Sequence, residues 1–347
     1  METGLIGLPF SGKSTIFAAL SGQGEAAAGG GRRAHVADVA VPDARVDRLG
    51  GLFPTAKQTL ATVILRDLPV EFSDKGGLAP ATLAELRGLD ALTLVVRAFL
   101  DTAVPHPLEK VDPAGDLRRL LDSLTFSDYA VAETRLERLV KEGKKGSREY
   151  QLLEQLAGRL SAGQLIGRST LSTEEQRTVS GFAFLTAKPI IVIVNEGETT
   201  VEVAEVEKQA AALGLDLFII HARQEMEIAL LPVEDQSAFL ADLGLVEPTR
   251  NRFLHQLYHS LNLISFLTAG DKEVRAWSVQ RGSTALKAAG RIHSDLERGF
   301  IRAEVITLER LIAAGGFAQA KKSGTLRLEG KEYTVEDGDV LTIRFNL

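Results

Sequence analysis

The segment from Gly7 to Ser14 has the residue types and spacing of a phosphate-binding loop. It reads Gly-Leu-Pro-Phe-Ser-Gly-Lys-Ser, which is the complete pattern Gly-x-x-x-x-Gly-Lys-Ser. In such a loop the backbone N–H groups converge on the β-phosphate, Lys13 reaches the β and γ oxygens, and the Ser14 hydroxyl can coordinate Mg²⁺. The sequence therefore predicts a phosphate site. The alternative is a glycine-rich turn that ends in Lys-Ser by coincidence.

The elements that would position this loop are a strand before it and a helix after it. The apolar stretch Gly4-Leu-Ile6 precedes the loop, and residues 15–20 can continue as a helix. A Cβ would block the approach of the backbone at Gly7 and strain the loop at Gly12. Lys13 is also the predicted catalytic charge, because it would stabilise charge on the transferred phosphoryl group. The residues predicted to contact the nucleotide here are Gly7, Pro9, Phe10, Ser11, Gly12, Lys13, Ser14 and Thr15.

Composition limits the class of protein. The chain has 347 residues, enough for two or three domains of about 100–200 residues each. No apolar run approaches the roughly 20 residues that cross a bilayer, and the loop begins too early for a signal peptide to precede it. We therefore expect a cytoplasmic protein without a membrane partner. The absence of cysteine excludes thiol chemistry, and the net charge of −6 indicates no general attraction to DNA or RNA.

Apolar, β-branched runs bounded by polar residues have the pattern of buried parallel strands. They lie at residues 62–66, 92–97, 190–194 and 217–220. Segments of helical period lie between them, for example at residues 81–89 and 201–213. This alternation predicts an α/β fold with a doubly wound, mostly parallel sheet, in which the phosphate loop is the first β–α turn.

Two segments depart from the alternation. Leucines at helical spacing on either side of Gly143-Lys-Lys-Gly146 predict an inserted helical hairpin. Short strands and turns near the C-terminus predict a small α+β or β-grasp module. The predicted domains are a discontinuous nucleotide-binding domain of residues 1–110 and 182–261, a hairpin of residues 111–181 and a terminal domain of residues 262–347.

Asp67 is the candidate carboxylate for a metal ion. P-loop NTPases hold Mg²⁺ with a carboxylate at the end of a neighbouring strand, usually through water. Asp67 closes the run Val63-Ile-Leu-Arg66, so Ser14 and Asp67 make up the predicted metal site. The alternative is an ordinary aspartate at a strand end.

The loop Asn195-Glu-Gly-Glu198 is the candidate for base recognition. It follows a predicted strand and so lies at the carboxyl edge of the sheet, where such folds bind ligands. Guanine-binding proteins of this class often use Asn-Lys-x-Asp, whose carboxylate accepts hydrogen bonds from guanine. Here the lysine is absent and Glu198 replaces the aspartate, which weakens guanine specificity and makes adenine compatible. The alternative is a solvated turn.

Motifs over nearly the whole chain resemble the YchF branch of the Obg-like ATPases, which are translation-associated P-loop NTPases. Beyond the phosphate loop and Asn195-x-x-Glu198, the matching stretches are residues 41–46, 188–189, 266–277, 293–305, 337–340 and 344–345. The resemblance implies a coiled-coil-like insertion, a C-terminal TGS-type β-grasp domain and a ribosome or RNA partner. It also implies that the Asn-x-x-Glu motif accepts ATP as well as GTP, and that His221, Ala222 and Arg223 lie in the last base-contacting loop.

Two switch positions differ from the family pattern. The family's Asp-x-x-Gly reads Asp67-Leu-Pro-Val70, so the glycine that would contact the γ-phosphate is replaced and Pro69 removes another N–H donor. Gly31 stands where a switch threonine is expected, in a low-complexity stretch that we expect to be a mobile loop. These changes affect hydrolysis more than binding. Glu71 is a candidate for orienting a water, although a solvent-facing glutamate is the commoner case.

The leading hypothesis is a P-loop NTPase that binds a purine nucleotide, ATP rather than GTP, and hydrolyses it slowly with Mg²⁺ in a ribosome-associated regulatory role. One alternative is a ribosome- or RNA-binding adaptor with a catalytically inert nucleotide site, which the two switch changes favour. The other is a GTP-binding switch protein, which Glu198 disfavours. The sequence alone leaves open whether the chain is an enzyme.

Overall fold

The structure is a computed structural model, and it describes residues 1–22, 34–73, 77–167, 171–242 and 244–346. The expected mobile loop after Gly22 and the switch position Gly31 lie outside these residues.

The described residues form strands and helices along the whole chain. The strands are β1 (Glu2–Ile6), β2 (His35–Ala40), β3 (Lys57–Thr59), β4 (Thr62–Asp67), β5 (Ala91–Arg97), β6 (Ile190–Asn195), β7 (Asp216–Ile220), β8 (Leu263–Ala269), β9 (Glu273–Gln280), β10 (Phe300–Thr307), β11 (Arg327–Glu329) and β12 (Asp339–Phe345). The helices are α1 (Lys13–Ser21), α2 (Ala44–Gly50), α3 (Pro80–Arg87), α4 (Pro113–Lys141), α5 (Arg148–Ser161), α6 (Thr173–Val179), α7 (Ala204–Ala212), α8 (Ala222–Leu230), α9 (Val233–Asp242), α10 (Thr249–Ser260), α11 (Ala285–Ile292), α12 (Ser294–Arg298), α13 (Leu308–Ala314) and α14 (Phe317–Lys322).

The first sheet orders its strands β2-β4-β1-β5-β6-β7. β1 pairs in parallel with β4 and β5, and β6 pairs in parallel with β5 and β7. β5 and β6 are buried at every position, as expected for continuous apolar runs in a parallel sheet covered on both faces. The predicted α/β fold class is confirmed. The loop that follows β1 starts at the carboxyl end of this strand, between the ends of β4 and β5. Ligands bind at this edge of parallel sheets.

The helical hairpin consists of α4 and α5, joined by residues 142–147. The N-terminal half of α4 packs Leu117, Leu120 and Leu124 into the core of the first sheet. Its C-terminal half and α5 share a second apolar cluster that includes Leu139 and Leu153. Leu117, Leu120 and Leu124 are three and four residues apart, so they lie on one face of α4. This long helix therefore belongs to the sheet at one end and to the hairpin at the other.

The chain divides into two compact units, Met1–Asp38 with Ile64–Arg250 and Val39–Val63 with Asn251–Leu347. This differs from the division drawn from the sequence, because the hairpin belongs to the first unit and an early segment belongs to the second. In that segment β3 pairs in parallel with β9. A strand of three residues whose side chains are mostly exposed carries no apolar pattern that sequence analysis could detect. The three-domain division stays a prediction.

The second sheet orders its strands β11-β10-β12-β8-β9-β3. β8–β9, β10–β11 and β10–β12 are antiparallel pairs, whereas β12 pairs with β8 in parallel. Small residues of α11, among them Ala285 and Ala288, pack into the core beside Phe266 and Phe300. This mixed sheet with a covering helix has the predicted α+β character. Among the described helices, none has the length and apolarity that a membrane span requires.

Candidate nucleotide-binding site

The phosphate loop connects β1 to α1. Gly12 adopts a left-handed conformation with φ of 85° immediately before the first helical residue, Lys13. A Cβ at Gly12 would lie 2.1 Å from Nδ2 of Asn195, and a Cβ at Gly7 would lie 2.3 Å from the carbonyl oxygen of Val95. Both glycines are therefore required by neighbouring strands β5 and β6, whether or not a ligand is bound.

Lys13 folds its side chain back over the loop. Its Nζ donates hydrogen bonds to the carbonyl oxygens of Gly7 at 3.1 Å and of Leu8 at 3.4 Å. Burial lowers the pKa of Lys13 below its ordinary value of 10.5, and the nearby carboxylate of Asp67 acts in the opposite direction. A partly buried cation whose hydrogen-bond partners are neutral carbonyls favours the approach of an anion.

Ser14 and Asp67 meet beside the loop. The Ser14 Oγ donates to Oδ2 of Asp67 at 2.7 Å, and the buried Asp67 lies opposite Leu5 in the β1–β4 pairing. The described residues contain no group of three or more His, Cys, Asp or Glu side chains that could hold a metal by themselves. Two adjacent oxygen ligands fit Mg²⁺, which binds through few protein groups and completes its shell with phosphate oxygens and water.

Asn195 joins the phosphate loop to the start of α8. Its Nδ2 donates to the carbonyl oxygen of Ser11 at 3.1 Å, and its Oδ1 accepts from the N–H of Ala222 at 3.2 Å. The side chain is buried. Both ends of the amide hold two loops together, and each end keeps a second donor or acceptor position. The direct base contact that sequence analysis predicted stays a prediction.

A cavity of about 1080 Å³ adjoins the phosphate loop. Predicted site residues that line it are Phe10, Gly12, Thr15, Asn195, Glu198, His221, Ala222 and Arg223. Glu198 and Arg223 are exposed, whereas Nδ1 of His221 accepts from the N–H of Gln224 at 3.3 Å and caps α8. The structure thus brings the phosphate loop and both predicted base loops to one cavity large enough for a nucleotide.

Comparisons with known proteins identify relatives along the full length of the chain. The family model YchF-GTPase_C, described as "Protein of unknown function (DUF933)", matches residues 263–346. The Ribosome-binding ATPase YchF of Bacillus subtilis (strain 168) is 36% identical, with 100% of both chains covered. The same-named protein of Haemophilus ducreyi is 38% identical, covering 100% of this chain and 99% of its own. This chain belongs to the YchF family of Obg-like NTPases.

A solved structure supports membership at the level of the fold. The Schizosaccharomyces pombe YchF GTPase has a TM-score of 0.87 and 28% sequence identity to this chain. The match covers 99% of this chain and 97% of the fission yeast chain. The YchF architecture therefore extends over the described part of the chain, including the segment after Asp67 in which a switch residue differs.

The YchF switch motif that reads Asp67-Leu-Pro-Val70 continues into a segment held against α3. The N–H of Glu71 donates to Oγ1 of Thr82 at 3.1 Å, and its carbonyl oxygen accepts from the N–H of Ala79 at 2.9 Å. The Glu71 side chain is exposed and does not line the cavity. Val70 packs against the core of the first sheet. In the described part of the chain, Glu71 makes no hydrogen bond to another predicted site residue, and its role in orienting a water stays a prediction.

Arg97 lines the cavity and was missed by sequence analysis. It is the last residue of β5, and only 1% of its surface is exposed. Its Nε donates to the carbonyl of Phe99 at 3.0 Å, Nη2 donates to that of Val104 at 2.8 Å, and the guanidinium lies 4.2 Å from the centre of the Phe99 ring. Nη1 has no hydrogen-bond partner among the described residues. Burial lowers the pKa of Arg97. The sequence signal that could have identified Arg97 is a charged residue at the end of an apolar strand.

A buried histidine–aspartate pair follows Arg97 in the chain and was also missed. His106 lines the cavity, and its Nε2 lies 3.0 Å from Oδ2 of Asp116. Because Nδ1 accepts from the N–H of Leu108 at 3.2 Å, Nε2 carries the proton and donates to the carboxylate. Burial raises the pKa of Asp116. Both ring nitrogens are engaged, so the pair fixes the loop between β5 and α4. A separation of ten residues has no recognisable sequence pattern.

Proposed function

We propose that this chain binds a purine nucleotide, ATP in preference to GTP, hydrolyses it slowly with Mg²⁺ and has a ribosome-associated regulatory role in the cytoplasm. The observation that carries the proposal is the convergence of Lys13, Ser14 and Asp67 beside a nucleotide-sized cavity. Lys13 supplies the positive charge for the β- and γ-phosphates. Ser14 and Asp67 would hold Mg²⁺, which would neutralise phosphate charge.

The preference for ATP rests on the loop Asn195-Glu-Gly-Glu198. Glu198 is exposed at the cavity and is longer than the aspartate that reads guanine, so it no longer matches the two guanine donors. The curated relatives are named ATPases. Both arguments support adenine, and His221 and Arg223 supply the remaining polar groups of the base loop.

Slow turnover follows from the residues after Asp67. Pro69 has no N–H, Val70 packs against the core, and the exposed Glu71 does not line the cavity. His106 lines the cavity but uses both ring nitrogens. With positioning and charge as the main contributions, we expect rates on the order of 10⁻⁴ to 10⁻² s⁻¹, the range of intrinsic switch NTPases.

The ribosome-associated role is supported by the relatives. Those over the full chain length carry the name Ribosome-binding ATPase YchF. The same residues 67–71 that predict slow turnover favour a second candidate function, an adaptor that binds the ribosome while its nucleotide site stays inert.

Phosphate release with Mg²⁺·ATP, measured alongside ribosome co-sedimentation, separates these two functions. We expect slow release that is lost in Lys13→Ala and kept in Lys208→Ala, an exposed lysine on α7 that serves as the matched control. Ribosome binding without any phosphate release above the Lys13→Ala background would contradict the enzyme and leave the adaptor. Full turnover in Lys13→Ala would show that another site, or a contaminant, carries the activity.

A further inference from the structure

Phe10 has a backbone conformation that a bulky side chain rarely adopts. Its φ is 62°, in the left-handed region where a Cβ crowds the backbone. The N–H of Ser11 donates to the carbonyl of Leu8 at 3.2 Å, which closes a turn with Pro9 and Phe10 at its centre. The second central position of a turn with positive φ favours glycine or asparagine. Phenylalanine therefore strains this loop.

The Phe10 side chain gains little from packing in return. It is 58% exposed, although phenylalanine usually buries its ring. The exposed ring lines the cavity beside the phosphate loop, together with Phe99 and His221. A strained residue whose ring stays exposed indicates a function for that ring.

We propose that the Phe10 ring is a stacking surface for the purine base of the bound nucleotide. This inference rests on the proposed function and adds a contact that a phosphate loop does not by itself provide. Stacking would cover apolar ring area that the free protein exposes, and an aromatic ring offers a face to the base without needing a hydrogen bond. The strain persists because β1 and α1 fix the turn at both ends.

Three substitutions separate the ring from the strain. Phe10→Tyr keeps both, Phe10→Leu keeps the strain but removes the aromatic face, and Phe10→Asn removes both, since asparagine tolerates positive φ. The readouts are affinity for Mg²⁺·ADP, affinity for inorganic triphosphate, which has no base, and the thermal transition of the nucleotide-free protein.

We expect Phe10→Leu and Phe10→Asn to weaken ADP binding by roughly tenfold, which is the size of one base–aromatic contact. Phe10→Tyr should bind ADP as the wild type does, and none of the three should change the affinity for triphosphate. Phe10→Asn should raise the thermal transition of the free protein by about 2–4 °C, because it releases the strain. A structural role alone would not raise stability while lowering affinity.

The proposal is overturned if Phe10→Leu binds ADP as tightly as the wild type. It is also overturned if ADP and triphosphate lose the same factor, because the ring would then act only through the shape of the loop. A wild-type protein that binds neither ligand would overturn the proposed function and this proposal together. If the wild type binds ADP and every variant binds it with the same affinity, this proposal alone is overturned.

Discussion

Asn195 acts as the connector between the phosphate loop and the base loops. Its amide serves the Ser11 carbonyl and the Ala222 N–H, so Asn195→Ala leaves two buried backbone groups without partners at a cost of about 1–3 kcal/mol each. We expect lower stability to chemical denaturation and an equal loss of affinity for ATP and GTP, measured by titration with each. A selective loss of one nucleotide would show that Asn195 reads the base directly.

Lys13 gives the site a pH dependence. Its pKa is lowered by burial, so as the pH rises the free protein loses this positive charge earlier than an exposed lysine would. Above that lowered pKa, binding requires the uptake of a proton. Affinity for ADP should therefore stay level near neutral pH and fall by up to tenfold per pH unit once the pH exceeds the lowered pKa. Titrations between pH 7 and pH 10.5 measure this. An affinity that stays level up to pH 10.5 would contradict it, and Lys208→Ala should follow the wild type.

At the scale of elements, Asp128 fixes α4 to the rest of the first unit. Its buried carboxylate accepts from the N–H of Leu185 at 3.0 Å, from the N–H of Thr186 at 2.7 Å and from Nη1 of Arg87 at 3.0 Å. Removing one partner of a buried ion pair costs about 3–5 kcal/mol. We expect Asp128→Ala to lower the denaturation midpoint strongly and to leave the affinity of the folded protein for ADP unchanged.

The exposed Asp122 on the same helix is the matched control. Asp122→Ala should change the free energy of unfolding by less than about 0.5 kcal/mol. If Asp128→Ala were no more destabilising than Asp122→Ala, the buried carboxylate would not hold α4 in place.

Elements with a strong local pattern could be predicted from the sequence, and the others could not. β5 and β6 are apolar at nearly every position, so their runs were recognisable. β2 alternates buried and exposed residues over a short span, and β3 has only three residues, so both were missed. Their places in the sheets depend on partners far away in the chain.

In the candidate site, too, a contiguous motif could be predicted from the sequence, whereas residues brought together by the fold could not. The phosphate loop is contiguous, and its motif specifies the backbone and the functional side chains of Lys13 and Ser14 at once. Arg97 and the His106–Asp116 pair have no fixed spacing to that motif, because they reach the cavity through the fold. Glu71 was predicted from its position shortly after Asp67, and the structure shows only its backbone bonded to Thr82 and Ala79, so its role stays a prediction.

At the scale of the whole molecule, the two compact units predict how the chain can be divided. The segment Val39–Val63 belongs to the second unit, where Val46, Leu49 and Ala61 pack with Leu267 and other residues of the C-terminal half. A fragment of residues 1–261 follows the domain boundary drawn from the sequence, but it exposes these apolar side chains. We expect it to bind a hydrophobic dye strongly and to aggregate.

The full chain is the reference for this fragment. A fragment of residues 1–261 that stays monomeric, binds no more dye than the full chain and unfolds cooperatively would contradict the assignment of Val39–Val63 to the second unit. It would support instead the predicted boundary near residue 262.

We propose that Lys13, Ser14, Asp67 and the adjoining cavity form a purine nucleotide site that prefers ATP. Calorimetric titration of the nucleotide-free protein with slowly hydrolysed ATP and GTP analogues, both with Mg²⁺, tests it most directly. We predict saturable binding that is tighter for the ATP analogue, is lost in Lys13→Ala and is kept in Lys208→Ala. Folded protein that gives no binding heat with either analogue, and whose thermal transition neither analogue raises, would contradict the claim.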